Sequence, residues 1–253
     1  MSSRRSTQKG GKIAPKANVR QARFESQLAA RKRKRLSILV GLPVVIAVIA
    51  VGVLIAVNGR ADSGNAMPTI VAATAPDSSI PVDGLTIGSP DAPVKLTEYG
   101  DYQCPYCAQF AADGFPPLLN EYIASGKVQF TYVPMSFLGD ESVRAVEAAL
   151  CANDQGEFWT MHDTIYKNHS GENQGAFSDD RLRTMAELSG LEMTAFNSCM
   201  ADNTHKDDVA AYAAQAQAAG VDSTPSLSLN GAKAISFTNW NALKEQIDAL
   251  LPE

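Results

Sequence analysis

Cysteine and histidine are scarce in this chain, which has four cysteines and three histidines among 253 residues. No cysteine precedes Cys104, and only one pair of cysteines has C-x-x-C spacing. A structural zinc site requires four ligands, usually cysteines or histidines at short spacing. The chain has no second C-x-x-C, and none of its histidines lies at ligand spacing from a cysteine. The sequence therefore predicts no bound metal.

Acidic residues are nearly absent from residues 1–35, which carry twelve Lys or Arg and one acid, Glu25. Charge is absent altogether from residues 36–57, whereas residues 58–253 are strongly acidic. As a helix, residues 36–57 would be about 33 Å long, enough to cross a hydrocarbon core of about 30 Å. The positive-inside rule then puts the basic tail in the cytoplasm. We expect one transmembrane helix in the cell membrane and an extracytoplasmic C-terminal part.

Two alternatives compete with this membrane anchor. A cleaved signal peptide has an apolar stretch of about 7–15 residues followed by an A-x-A-like site. Here the apolar run is longer, and no good site of that kind follows it. A basic tail is also compatible with nucleic-acid binding, but its position directly before an uncharged run favours a topological role, with contacts to anionic lipids. We therefore expect a retained anchor and no nucleic-acid partner.

Residues 58–81 are rich in Ala, Asp, Ser, Pro and Gly and lack apolar periodicity, which predicts a flexible linker. From residue 82 to 253 the pattern is that of a globular α/β domain. Strands are predicted at 93–99 and 127–133, and a helix between them, from Cys104 to about Ser125, is disturbed by prolines. The order strand, helix, strand implies a parallel strand pair.

The second half of the domain changes character. No proline occurs between Glu141 and Thr224, and the apolar pattern there predicts a block of five helices. A hairpin then turns at Asn230-Gly231, a pair typical of a type I′ turn. The predicted ranges are 141–153, 156–168, 178–189, 193–200 and 205–219 for the helices, 226–236 for the hairpin and 239–251 for a last helix.

The motif Cys104-Pro105-Tyr106-Cys107 carries the chemistry. It follows a strand and begins a helix, so the Cys104 sulfur faces free N–H groups that favour its thiolate. Cys107, one turn further on, is placed to resolve a mixed disulfide. Half of a zinc site and an inert structural disulfide are the alternatives. The first lacks further ligands, and pairs of such short span are rarely used to stabilise a fold.

Three separated motifs resemble the DsbA-like branch of the thioredoxin superfamily, from about residue 82 to the C-terminus. They are Glu98-Tyr-Gly-Asp-Tyr-Gln-Cys-Pro-Tyr-Cys107, Phe158-Trp159 with His162-Asp163, and Gly220-Val-Asp-Ser-Thr-Pro-Ser226. The resemblance implies a thioredoxin-like α/β fold with an inserted α-helical domain at about 140–219, preceded here by the transmembrane helix. It also implies a protein thiol–disulfide oxidoreductase.

The resemblance assigns roles to further residues. Pro225 matches the family's cis-proline, beside which the Thr224 backbone pairs with an extended substrate; the alternative is an ordinary proline at a strand start. Glu98 matches a buried acid that exchanges a proton with the resolving cysteine, although a strand glutamate usually faces solvent. Cys151 and Cys199 match a second, structural disulfide, with two unpaired thiols as the alternative.

We therefore expect an enzyme that oxidises cysteine pairs of exported polypeptides without a metal or organic cofactor. The resemblance implies a membrane redox partner that reoxidises it. Two alternatives remain: a disulfide isomerase or reductant, for example in cytochrome maturation, and a non-catalytic membrane-tethered binding module or chaperone. The direction of electron flow depends on the reduction potential, which the sequence does not give.

Overall fold

A computed structural model describes residues 67–237 and 239–252. The predicted basic tail (1–35) and transmembrane helix (36–57) lie outside these residues. Within the part of the chain that the structure describes, no helix has the length and apolar character needed to span a bilayer.

Six strands of the described residues form one mixed sheet in the order β1-β2-β4-β3-β5-β6. They are β1 (Val82–Asp83), β2 (Thr86–Ile87), β3 (Val94–Asp101), β4 (Val128–Met135), β5 (Ser226–Leu229) and β6 (Ile235–Ser236). The central strand β3 pairs in parallel with β4 and antiparallel with β5. The parallel pair confirms the predicted strand–helix–strand unit. β1 and β2 were not predicted, because two-residue strands show no periodicity.

The helix predicted between β3 and β4 is a helical segment that changes type three times. It consists of α1 (Pro105–Gln109), a π-helical stretch (Phe110–Gly114), α2 (Phe115–Leu118) and a second π-helical stretch (Leu119–Ile123). Pro116 and Pro117 lack the N–H that continues an α-helix, which explains the predicted disturbance at this point. Gly126, with a φ of 73°, follows the segment as expected of a C-cap glycine.

The helical insertion contains five helices, as predicted: α3 (Asp140–Asn153), α4 (Phe158–Lys167), α5 (Asp179–Leu188), α6 (Met193–Asp202) and α7 (Lys206–Ala218). It shares one hydrophobic core with the sheet, because buried aromatic residues of both parts are in contact. Phe130 of β4 lies 5.8 Å from Trp159 of α4, and Tyr132 lies 6.2 Å from Phe158, between ring centroids. The final helix, α8 (Trp240–Asp248), packs Leu243 and Ile247 into the same core.

The predicted hairpin is present, but its second strand is shorter than expected. Asn230 and Gly231 both have positive φ, 49° and 75°, as a type I′ turn requires. The Ala232 N–H donates to the Leu229 carbonyl, whereas Leu227 pairs with Ile235. The returning arm thus contains one more residue than the outgoing arm, which is the arrangement of a β-bulge.

The domain begins earlier than the predicted boundary at residue 82. Residues from Met67 onward belong to its compact unit, so the predicted linker 58–81 is corrected for its C-terminal part. The Val71 N–H and carbonyl both bond the Asn168 side chain, at 2.9 and 2.8 Å, and the Ala73 N–H donates to Thr164 Oγ1. Backbone hydrogen bonds hold this segment, and they leave no periodic signal in the sequence.

Candidate active site

The C-x-x-C pair lies where β3 leads into α1. Cys104 precedes the first helical turn with extended backbone angles, and its carbonyl accepts the N–H of Ala108 at 3.0 Å. Pro105 occupies the first helical position, where a backbone N–H would have no acceptor within the helix, so that its absence from proline costs no hydrogen bond. Cys104 is 5% exposed, whereas Cys107 is fully buried. Both are free thiols in this structure, with Cys104 the outer of the two.

The pKa of Cys104 is lowered to about 6. The largest cause is the Cys107 thiol, which donates to the Cys104 sulfur. Burial acts in the opposite direction, but the Thr224 hydroxyl and the N–H groups of Cys107 and Tyr106 lower the pKa further. At neutral pH Cys104 is therefore mostly a thiolate, the form that attacks disulfides and that leaves readily from them.

The pKa of the Cys107 thiol is raised, first by burial and then by the hydrogen bond it donates to Cys104 and by the charges of Glu98 and Cys104. Glu98 is 2% exposed, and burial followed by repulsion from the Cys104 thiolate raises the pKa of its carboxyl well above the usual range. The structure thus places Glu98 in the interior, which the sequence left open. Its role in proton exchange with Cys107 stays a prediction.

Glu98 lies in the central strand, between β4 and β5. Tyr132 of β4 and Leu227 of β5 flank it across the sheet, and within the described residues its Oε1 has no hydrogen-bond partner. A Cβ on Gly100 would come within 2.9 Å of this oxygen and 2.7 Å of the Tyr132 ring, so only glycine fits there. The Tyr132 hydroxyl donates to the Gly100 carbonyl at 2.7 Å and lies 2.9 Å from the Tyr166 hydroxyl.

The second sequence motif forms part of the core. Phe158, Trp159 and His162 are each at most 2% exposed. Burial lowers the pKa of His162 to about 3, so this histidine is neutral. Its Nδ1 lies 3.0 Å from the Tyr102 hydroxyl. These residues support the active-site segment by packing, since His162 contacts Tyr102 and Trp159 stacks on Phe115.

Thr224 and Pro225 lie against the active-site cysteine. The peptide bond between them is cis, and Cys104 Sγ lies 3.3 Å from the Thr224 carbonyl oxygen. That oxygen accepts a hydrogen bond from the protonated thiol, whereas the Thr224 hydroxyl favours the thiolate. The structure brings both residues to the site, and their contact with substrate stays a prediction.

A buried polar network holds the loop before Cys104, and the sequence analysis missed it. Asp101 is fully buried and accepts hydrogen bonds from the Gln103 and Leu138 N–H groups and from the Ser142 hydroxyl. The Gln103 amide donates to Leu138 O, Ser142 Oγ and Asn173 Oδ1, which ties the loop to the helical insertion. The available signal was two polar residues, Asp101 and Gln103, at the end of a buried strand and directly before the C-x-x-C.

The surface around Cys104 suits a polypeptide chain. Tyr106 is 66% exposed and Phe137 is 52% exposed, so two large apolar side chains remain uncovered near the site. An open cavity of about 390 Å³ beside Pro105 is lined by Gln103, His169, Gly171, Glu172 and Gln174. Apolar side chains next to a polar cleft are features of protein-binding surfaces.

Cys151 and Cys199 form a disulfide between α3 and α6, as the resemblance implied, with their Cα atoms 5.9 Å apart. The sequence analysis did not foresee that His205 lies beside them, because residues 151, 199 and 205 show no ligand spacing. The two sulfurs and a ring nitrogen of His205 all lie within 4.8 Å of one another. This cluster is separate from the Cys104–Cys107 pair.

Comparison with known proteins agrees with this geometry. The sequence profile of the family described as Thioredoxin matches residues 81–249, more than half of the chain. The chain belongs to the thioredoxin family. A protein named probable disulfide bond formation protein D from Bacillus cereus is 29% identical over 167 residues, which cover 64% of this chain and 76% of that protein.

Solved structures give the same result for the fold of this thioredoxin-family chain. Oxidised BdbD from Bacillus subtilis is 26% identical, with a TM-score of 0.61 over 66% of this chain and 92% of that one. A thioredoxin-like oxidoreductase from Silicibacter pomeroyi is also 26% identical, with a TM-score of 0.56 over 68% of this chain and 92% of that one. The chain is therefore a DsbA-like protein thiol–disulfide oxidoreductase whose thioredoxin-like fold carries a helical insertion.

Proposed function

We propose that this protein is a membrane-anchored, extracytoplasmic thiol oxidase that introduces disulfides into exported polypeptides. The observation that carries the proposal is the opposite perturbation of the two cysteines. The pKa of Cys104 is lowered to about 6, whereas that of Cys107 is raised. An oxidant of this type is strong when its reduced form is stabilised, and a stabilised Cys104 thiolate supplies that stabilisation.

The reaction begins on the oxidised enzyme. A substrate thiolate attacks the Cys104 sulfur, which is the more exposed of the two, and forms a mixed disulfide while Cys107 leaves. Cys107 takes up a proton, and Glu98 is the acid buried near it. A second substrate thiolate then attacks the substrate sulfur of the mixed disulfide and expels the Cys104 thiolate. The substrate loses two electrons and gains a disulfide, and the enzyme is left as the dithiol.

Substrate binding is proposed to use the surface around Cys104. The Thr224 backbone beside Pro225 lies next to the reacting sulfur, at 3.3 Å, where an extended segment can pair with it. The exposed side chains of Tyr106 and Phe137 would offer apolar contacts. A membrane redox partner would regenerate the disulfide by accepting the two electrons.

The proposed location rests on the charge pattern of residues 1–57. Fractionation of cells should leave the full chain in the membrane pellet, with the domain from residue 67 onward degraded by protease added from outside. A soluble product that lacks its N-terminal region would show that residues 36–57 act as a cleaved signal peptide.

The decisive experiment is the reduction potential of Cys104–Cys107, measured by equilibrium with glutathione. We expect a value between about −270 mV, as for thioredoxin, and about −120 mV, as for the strongest oxidants of this type. Oxidation of a reduced, unfolded test protein should proceed with the wild type and stop with Cys104→Ser. A potential at or below that of thioredoxin would favour the reductant function instead.

A further inference from the structure

The cluster around the second disulfide has the composition of a metal site. Cys151 lies near the end of α3, Cys199 is on α6, and His205 immediately precedes α7. Their two sulfurs and a ring nitrogen lie within 4.8 Å of one another. A fourth group is at hand, because Asp154 Oδ2 lies 2.9 Å from His205 Nε2 and 3.9 Å from Cys199 Sγ.

We propose that Cys151, Cys199, His205 and Asp154 form a redox-gated zinc site, closed while the disulfide is present and able to bind one Zn²⁺ once it is reduced. In the oxidised chain both sulfurs are bonded to each other and offer no thiolate. A dithiol reductant transfers two electrons and two protons to the Cys151–Cys199 bond and becomes a disulfide itself. Zn²⁺ then displaces the two thiol protons and any proton on His205 Nε2 to solvent.

The ligand set suits zinc better than the hard cations. Two thiolates, one imidazole and one carboxylate make four ligands of the types that zinc binds tetrahedrally, with bonds of about 2.3 Å to sulfur and about 2.0 Å to nitrogen. Mg²⁺ and Ca²⁺ prefer sites made of oxygen ligands alone. The two sulfurs and the His205 nitrogen already lie within 4.8 Å of one another, and Asp154 Oδ2 lies 3.9 Å from Cys199 Sγ. Rotations of side chains would bring these atoms to bonding distance.

The histidine is already oriented by a second carboxylate. His205 Nδ1 lies 2.7 Å from Asp208 Oδ2, so the Nδ1–H donates to Asp208 and Nε2 is the nitrogen that faces Asp154. A carboxylate that holds the non-ligating nitrogen of a histidine is the usual outer partner of a zinc-binding histidine. In this arrangement Zn²⁺ takes the position between Nε2 and Asp154 that a proton otherwise occupies.

The site would join the same elements that the disulfide joins. The bond from Cys151 to Cys199 links α3 to α6, and a zinc ion on the reduced cysteines would preserve that link and add His205 at the start of α7. The inferred function of the site is to stabilise the helical insertion in chains that have not yet been oxidised or that have been reduced.

The test uses the full chain carrying Cys104→Ser and Cys107→Ser, so that no active-site thiol competes for metal. The protein is reduced with a phosphine, freed of metal, and titrated with Zn²⁺ against a chromophoric chelator. We expect one equivalent bound by the reduced chain and none by the oxidised chain. Adding Cys151→Ser and Cys199→Ser should abolish binding. Co²⁺ in place of Zn²⁺ should give a thiolate-to-metal charge-transfer band only after reduction.

Two substitutions, at His205 and at its partner Asp208, separate this site from chance binding. Asp208→Asn should weaken Zn²⁺ binding by about 10–100-fold, and His205→Ala, which removes a ligand, should weaken it further. His169→Ala is the matched control and should leave the affinity unchanged. If the reduced, folded chain binds no zinc, or if His205→Ala binds it equally well, the inference is wrong. If reduction unfolds the chain, Zn²⁺ should restore its helical circular dichroism in the parent but not in His205→Ala, and failure to restore it overturns the inference as well.

Discussion

The contribution of the Thr224 hydroxyl to the lowered pKa of Cys104 can be tested directly by substitution. It favours the thiolate by hydrogen bonding and helps to lower the pKa of Cys104 to about 6. We predict that Thr224→Val, which keeps the backbone and the shape, raises this pKa. A hydrogen bond to a charged group is worth about 1.5–3 kcal/mol, and each pKa unit corresponds to about 1.4 kcal/mol. Because solvent screens the rim of the site, we expect a rise of about one unit.

The effect on the redox equilibrium follows from the titration of the reduced form, since the disulfide form has no thiol to titrate. A depressed pKa stabilises the reduced, folded form in full above the ordinary thiol pKa of 9.0, and the stabilisation is lost as the pH falls through about 6. At pH 7 a pKa of about 6 contributes about 1.4 kcal/mol. A pKa near 7 contributes about 0.4 kcal/mol, so the variant should be more reducing by about 20 mV.

The assay is the ultraviolet absorbance of the thiolate as a function of pH, together with the glutathione equilibrium at pH 7. Tyr106→Phe is the control, because it removes an exposed hydroxyl from the same motif but leaves the backbone N–H in place. It should titrate like the wild type. If Thr224→Val has the pKa and potential of the wild type, the hydroxyl does not stabilise the thiolate and the reasoning is wrong.

Three further predictions follow from the same structure. Cys107→Ser should accumulate mixed disulfides with disulfide-containing substrates, detected by non-reducing electrophoresis, because the Cys104 thiolate can still attack a substrate disulfide but Cys107 can no longer displace the bound substrate from Cys104; rapid turnover by this variant would contradict the assignment. Because the pKa of Glu98 is raised in the folded state, the unfolding free energy of the wild type should fall as the pH rises from about 4.5 through the folded-state pKa, by about 1.4 kcal/mol per pH unit. Glu98→Gln should flatten this fall when the unfolding free energy is measured with urea. Parallel pH profiles for the two proteins would argue against a buried carboxyl. The double substitution Cys151→Ser and Cys199→Ser removes a disulfide that closes a loop with a sequence separation of 48, and it should lower the unfolding free energy by about 4 kcal/mol. An unchanged melting temperature would show that this disulfide does not stabilise the fold.

The sequence was sufficient for the order of the main elements, because long amphipathic helices and alternating strands have clear periods. It was also sufficient to place Cys104 and Cys107 at the junction of a strand and a helix, since a C-x-x-C in that position is a local pattern. It did not reveal the contacts of Asp101 and Gln103, which depend on a loop and a helix from distant parts of the chain. The extra residue in the second arm of the hairpin was missed for the same reason, since register is set by pairing across the sheet.

The position of His205 beside the disulfide also could not be predicted from a local sequence pattern. Ligand spacing in the sequence detects metal sites built on one turn or one loop. Here Cys151, Cys199 and His205 come from the end of one helix, the body of another and the start of a third. Only the packing of α3, α6 and α7 brings them together, so no local pattern could have indicated the cluster.

The early start of the domain at Met67 bears on the proposed membrane anchor, because it would limit how far the active site can move from the bilayer. If the membrane span ends at residue 57 as predicted, only residues 58–66 separate it from the domain. Nine residues reach at most about 30 Å even when fully extended, at about 3.3–3.6 Å per residue. If the protein is anchored as we propose, a domain on so short a connection would work as a surface-confined catalyst. Its substrates would then be chains that pass within a few nanometres of the membrane, and a redox partner embedded in the same bilayer would meet it by lateral diffusion in two dimensions.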